Sequence, residues 1–189
     1  METATKIDRR VIRTKEAITK AFLDLFAKKD LEHITINDIA DRANVNRGTV
    51  YLHYSDKYDL LDKLIDDHLN KLTSLCNPTG NTPMASELLP VFVYIRDHFQ
   101  FFSAMLSTTR AAVFRKRLME FVAVRVEEKL ERRSPHAEID VELNAEFMAS
   151  AFVGIVEWWI RRQMPHPPEY VAEQLRKLFE KNEVYPAHA

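Results

Sequence analysis

Seven histidines, one cysteine and a few adjacent carboxylates are the residues of this chain that could hold a metal or move a proton. Their spacing argues against both. His33, His53, His68, His98, His136, His166 and His188 include no H-x-x-x-H pair, and Cys76 stands alone, so neither a structural metal nor an intramolecular disulfide is expected. Three isolated glycines cannot build a phosphate-cradling loop. A nucleophile-elbow pattern is absent. Asp66–Asp67 and Glu127–Glu128 are adjacent pairs of the kind that line solvated helix faces. The sequence therefore predicts no enzyme, no cofactor and no metal.

The chemistry that remains is anion binding by one short helix. In "NRGTVYLHYSDKYDLL", residues 46–61, helical spacing puts Val50 and Tyr54 within ~40° of each other on an inner face. Gly48 and Leu52 fall near the opposite pole, flanked by Thr49 and Tyr51, with Arg47 and His53 toward the margins. A DNA major groove admits a helix whose backbone can come close, and Gly48 has no side chain to hold it off. That use would offset the helix cost of glycine, about 1 kcal/mol relative to alanine. Thr49 and Tyr51 can donate to phosphate oxygens, Leu52 can rest on a thymine methyl, and Arg47 can reach a guanine edge. Lys57, in the first turn of the next helix, can reach a phosphate. A blander reading makes Gly48 part of a turn, Leu52 core of another packing and Tyr51 structural; periodicity alone leaves both open.

The elements that must position this face are legible as helices. Sparse glycine with abundant Ala, Leu, Glu, Lys and Arg predicts an all-α chain. Val11, Ile18, Phe22, Leu25 and Phe26 form an apolar stripe over residues 9–28. Thr35 with Asp38 three residues on reads as a capping box opening a second helix, with Ile36, Ile39, Ala40 and Ala43 inside. Its N-terminal N–H groups, beside Thr35 and Asn37, form a candidate anion site. Asn44 suits the left-handed turn into a third helix over residues 46–53. Together these describe a helix-turn-helix. Ser55 or Asp56 caps a long helix to residue 76, with Leu60, Leu61, Leu64, Ile65, Leu69 and Leu72 on its apolar side.

"NPTGNTP", residues 77–83, is a linker. Beyond it come an apolar stretch over 84–106, a basic amphipathic helix over 110–132, a break at "SPH", a largely apolar helix over 138–163, and a last helix after "PHPP". Domains are expected at 1–55 (helix-turn-helix), 56–77 (linking helix) and 78–189 (helical sensing and dimerising half). The 189-residue chain has near-zero net charge, but residues 1–15 carry five basic side chains against two acidic ones, and local charge governs binding to a polyanion. The N-terminus lacks a signal-peptide core and no apolar run is long enough to span a bilayer, so a cytoplasmic location without membrane contact is expected.

"ITINDIADRANVNRGTVYLHYSDKYDLL" resembles the DNA-binding segment of the TetR family of bacterial transcriptional regulators. The match rests on Thr35, Ile39, Ala40, Val45, Gly48, Thr49, Val50, Tyr51, His53, Tyr54, Lys57 and Leu60. Asn44 replaces the usual turn glycine, and Leu52 stands where an aromatic residue is common. The resemblance implies a homodimer on double-stranded DNA, contacting a palindromic operator through Thr35, Asn37, Arg47, Gly48, Thr49, Tyr51, Leu52, His53 and Lys57. It implies repression relieved by a small-molecule effector, with activation as the other family behaviour. The alternative is a dimeric helical scaffold or ligand-binding module without operator recognition.

Residues 147–179 resemble a C-terminal domain type common in Firmicutes regulators of this family. Independently, the helix around residues 147–160 is apolar on too many sides for one core, and small Ala149, Ser150, Ala151 and Gly154 permit close helix approach. One side is therefore assigned to the subunit core and the other to a second subunit, in a four-helix interface with the last helix. Candidate interface residues are Phe152, Ile155, Trp158, Trp159, Val171, Leu175 and Leu178. Candidate pocket residues are Phe92, Phe99, Phe101, Phe102, Met105, Phe121, Met148 and Phe152, any of which could equally be plain core. Glu157 is the polar candidate for orienting a ligand, with pairing to Arg161 at i, i+4 as the alternative.

Overall fold

The structure is a computed structural model in which residues 9–76, 84–106, 112–133 and 140–181 are described. The linker at 77–83, the break at 134–136 and the basic residue Lys6 lie outside them. The described residues are helical, with no strand among them: α1 (Arg9–Phe26), a short 3-10 turn (Leu31–His33), α2 (Ile36–Ala43), α3 (Arg47–Tyr51), α4 (Lys57–Leu75), α5 (Met84–Asp97), α6 (Phe99–Leu106), α7 (Ala112–Arg133), α8 (Val141–Arg161) and α9 (Pro168–Lys181). The chain divides into two compact units, and the division falls between Asp67 and His68, inside α4.

In the N-terminal unit α1 packs on α2, and α2 on α3. Ile18, Ala21, Phe22, Leu23 and Phe26 are buried, so only the C-terminal half of α1 is covered. Val11, on the apolar stripe by spacing, is exposed for that reason, and Leu25 is half-buried. Ile34, Ile39, Ala40, Val50, Leu60 and Ile65 complete the core. The capping box of α2 is present in both halves: Thr35 Oγ1 accepts from the Asp38 N–H, and Asp38 accepts from the Thr35 N–H. Asn44 ends the helix in the left-handed conformation at φ 52°, as the short polar side chain of asparagine allows. Asp56 caps α4, its carboxylate accepting from the N–H groups of Tyr58 and Asp59, both at 2.8 Å.

The third helix is shorter than its sequence suggests. Asn46 is its N-cap and Leu52 its C-cap, so His53 lies in the following turn. Tyr54, just past this turn, is nearly buried, and desolvation raises its phenol pKa.

In the C-terminal unit α7 packs along α8, α5 along α9, and α6 against both α7 and α8. The apolar stretch 84–106 forms two helices, α5 and α6. The break is at His98, whose carbonyl accepts from the N–H groups of both Phe101 and Phe102 and so restarts the helix. The core holds Phe92, Phe101, Phe102, Phe114, Met148, Val153, Val156, Trp159 and Ile160, all nearly or fully excluded from solvent. The polar side chain of His68, from α4, is buried with them. Its ring stacks on Phe101 at 3.7 Å between centroids, and its Nδ1 lies 2.7 Å from the Tyr94 hydroxyl.

Candidate nucleic-acid interface

The face singled out in α3 points outward. Val50 is fully buried, whereas Arg47, Gly48 and Tyr51 are exposed and Leu52 is 82% exposed. Thr49 and His53 are half-buried at the edges. Gly48 sits in an ordinary helical conformation, and a Cβ built on it would meet only the Asn46 Oδ1, at 3.4 Å. Nothing inside the subunit therefore requires a glycine, and neither a turn nor internal packing explains it. Its N–H donates to the same Asn46 Oδ1 at 2.8 Å, which fixes the start of the helix.

Arg47 is held by its neighbour on the same helix face. Its Nη2 donates to the Tyr51 hydroxyl at 3.0 Å, one helical turn on, and the guanidinium lies over the Tyr51 ring at 5.3 Å from the centroid. The two side chains form a paired cationic and aromatic edge beside the bare backbone of Gly48. Lys57 is also oriented, with Nζ donating to the Glu32 carbonyl at 2.8 Å. Tyr58 donates to the Glu32 carboxylate at 2.8 Å, and that bond raises the phenol pKa. Glu32 thus anchors the start of α4 through two groups, a role with no local sequence signal because the partners are twenty-five and more residues apart. An ammonium has three donors, so Lys57 keeps others for a phosphate.

The N-terminus of α2 is less open to an anion than its sequence implies. Asn37 is exposed there, but the Asp38 N–H is taken by Thr35. The Asp38 carboxylate already places a negative charge in the first turn. Lys29, 3.0 Å away, and the Thr35 groups hold that carboxyl below its usual pKa. Thr35 is a structural cap first.

In the C-terminal unit a cavity of about 70 Å³ opens among α4, α5, α7, α8 and α9. Of the pocket residues read from the sequence, Phe121, Met148 and Phe152 line it. Phe92, Phe101, Phe102 and Met105 are instead buried core, and Phe99 is half-buried away from the cavity. Wheel positions cannot tell one internal face from another when several helices converge. Glu157 does not line the cavity either. It pairs with Arg115 of α7 at 2.6 Å, neither orienting a ligand there nor pairing with Arg161. Leu72, Cys76, Arg125 and Lys129 also line the cavity and are not among the pocket residues expected from the sequence. The available signal was the spacing of Leu118, Phe121, Val122, Arg125, Val126 and Lys129, which puts all six on one face of α7.

The residues assigned to a subunit interface separate into two sets. Phe152, Trp159, Val171 and Leu175 are buried within the subunit and cannot present a surface. Trp159 is held inward by its indole N–H, which donates to the His166 carbonyl at 2.8 Å. Trp158, one residue earlier and ~100° away on the helix, is 42% exposed. Ile155 is half-buried and Leu178 half-exposed. Leu143, Phe147, Gly154 and Trp158 leave an exposed apolar stripe along α8, Leu178 is an exposed apolar residue of α9, and nothing within 4 Å would meet a Cβ at Gly154.

The fold and this face define a helix-turn-helix protein with a second, all-helical unit. Residues 18–64 match the family of bacterial regulatory proteins described as the tetR family. Residues 85–181 match the transcriptional regulator C-terminal region of the same family. The chain belongs to the TetR family. It is 29% identical over 191 aligned positions to the HTH-type transcriptional regulator YxbF of Bacillus subtilis, covering 95% of this chain and 48% of that protein. It is 38% identical over 80 positions to the HTH-type transcriptional repressor Rv3405c of Mycobacterium tuberculosis, covering 40% of this chain and 43% of that protein. The chain thus spans about half the length, or less, of these relatives. Among solved structures, NalD, the secondary repressor of the MexAB-OprM multidrug efflux pump in Pseudomonas aeruginosa, superposes with a TM-score of 0.70. That superposition covers 92% of this chain and 97% of NalD at 19% identity, a likeness of fold alone. No helix among the described residues is long and apolar enough to cross a membrane.

Proposed function

We propose that this protein is a homodimeric transcriptional regulator that binds a palindromic operator and is released from it by a small-molecule effector. The observation that carries the reading is the outer face of α3: a glycine with no internal reason to be there, beside an Arg47–Tyr51 pair already held together. Gly48, Thr49, Tyr51 and Leu52 enter the major groove, Arg47 reads a base edge, and His53, Lys57, Asn37 and the hydroxyl of Thr35 contact the backbone. Residues 1–55 serve as the DNA-binding part, 56–77 as the link and 78–189 as the sensing and dimerising part. The exposed apolar residues of α8 and α9 form the dimer, so that two recognition helices sit about one helical turn of DNA apart. An effector binding the C-terminal unit acts through α4, and shifts the operator equilibrium only as far as it binds the two states differently.

The test is a gel-shift or anisotropy titration with the DNA upstream of the protein's own coding sequence, at several salt concentrations. Sequence-selective binding that weakens steeply with salt is expected. Absence of selective binding would leave a dimeric helical scaffold as the better reading. Repression and activation are separated by a reporter assay with the same DNA.

A further inference from the structure

We infer that Tyr51 is a positioning residue for base readout: its ring and hydroxyl hold Arg47 so that the guanidinium meets a guanine edge, and the two together select one G·C pair in each half of the operator. The inference rests on the regulator reading above. It adds the base that α3 prefers and the residue that sharpens the preference.

The place of Arg47 sets its target. It is the first residue of α3, directly after the Asn46 cap. In a helix-turn-helix the N-terminal residues of the recognition helix are the ones that meet base edges. Gly48 follows, so no side chain next to Arg47 in sequence holds the helix off a groove floor. Guanine shows two acceptors in the major groove, O6 and N7, at a spacing that a guanidinium fork matches. Adenine pairs its N7 with an amino donor, which an arginine N–H cannot use.

Tyr51 lies one turn on, and two contacts join it to Arg47. Nη2 donates to the hydroxyl at 3.0 Å, and the guanidinium carbon lies over the ring at 5.3 Å from its centroid. Both side chains are exposed, so burial within the subunit does not account for the pairing. The acceptor is a neutral hydroxyl and not a carboxylate, so the bond leaves the positive charge intact. A guanidinium has five N–H donors, and one bond to Tyr51 leaves enough for a bidentate pair on guanine. The tyrosine oxygen accepts from Arg47 and keeps its own proton for a phosphate oxygen. One side chain thus ties the reading group to the DNA backbone. A lone arginine loses much rotamer freedom on meeting a base, and a paired one loses less. That difference favours the correct base alone, by roughly two- to tenfold.

The test is an anisotropy titration of the full chain with the tightest-binding short fragment of the DNA upstream of its coding sequence. Copies of the fragment have each G·C pair exchanged in turn for A·T, or its guanine replaced by 7-deazaguanine, which lacks the N7 acceptor. The wild type should lose roughly five- to 150-fold at one G·C pair in each half-site. Arg47→Ala should be indifferent to that pair. Tyr51→Ala should shrink the wild-type penalty there by roughly two- to tenfold and leave the penalties at other base pairs unchanged, with Tyr51→Phe, which keeps the ring, in between. In the Arg47→Ala background, Tyr51→Ala should change nothing at that pair. A Tyr51→Ala protein that binds every sequence more weakly by one factor would make Tyr51 a phosphate contact only and overturn the inference. So would selective binding in which no G·C penalty depends on Arg47, although the regulator reading would then survive. Absence of selective binding by the wild type would remove both.

Discussion

His68 offers a stability test that can be worked quantitatively. It is 8% exposed, stacked on Phe101, with the Tyr94 hydroxyl at Nδ1 and the His98 ring 5.2 Å from its own. Burial, and secondarily the charge of His98, holds its pKa down to about 4 from an ordinary 6.5. The native state therefore binds fewer protons than the unfolded chain between these two values, and stability rises with pH across that window. The neutral ring's contribution is fully present above pH 6.5 and is lost progressively as pH falls toward 4. A difference of about 2.5 pH units corresponds to at most about 3.4 kcal/mol. The comparison variant is His68→Asn, whose amide can stand at the Nδ1 position opposite Tyr94 but does not titrate. Urea denaturation of both proteins at pH 7.5 and pH 4.5 should show the wild type losing about 2–3 kcal/mol more than the variant. Carboxylate titrations are common to both and cancel in the difference. Parallel losses in the two proteins would mean that the ring is solvated or paired in the native state, and the account of α4 packing given above would be wrong.

Three further outcomes are expected. Gly48→Ala should stabilise the chain by about 0.5–1 kcal/mol while weakening operator binding, and Gly48→Glu should abolish that binding with the circular dichroism spectrum unchanged; a destabilised Gly48→Ala protein would show an internal need for glycine. Thr35→Ala removes one half of the α2 capping box and should cost about 1 kcal/mol in urea denaturation; no loss would mean that Asp38 alone caps the helix. Trp158→Asp, on the outer stripe of α8, should weaken dimerisation by about 2 kcal/mol or more in sedimentation equilibrium without loss of helicity; an unchanged dimer would move the interface elsewhere.

The parts of the fold that depend on local rules were readable from the sequence. The capping box of α2, the left-handed Asn44, the inward Val50 and the outward Gly48 and Leu52 each follow from a few neighbouring residues. Long-range pairing was not readable. Glu157 finds Arg115, forty-two positions away, rather than Arg161 on its own helix. Lys57 and Tyr58 find Glu32. Trp158 and Trp159 were separable in angle, but which one faced inward depended on the carbonyl of His166, beyond the end of the helix. His68 is an intermediate case. It lies on the same stripe as Leu64, Ile65 and Leu72, so its burial was legible, although its aromatic surroundings came from α5 and α6.

The outward set in α3 has a consequence for divergence. Because Gly48, Tyr51 and Leu52 contribute little to the interior, exchanging them taxes neither the core nor the turn at Asn44. Under the proposed function, folding and target choice are thereby written in separate letters of the same short segment. A lineage carrying this scaffold would then drift to new binding sequences through two or three surface replacements, while the buried Val50 and Tyr54 keep the architecture unchanged.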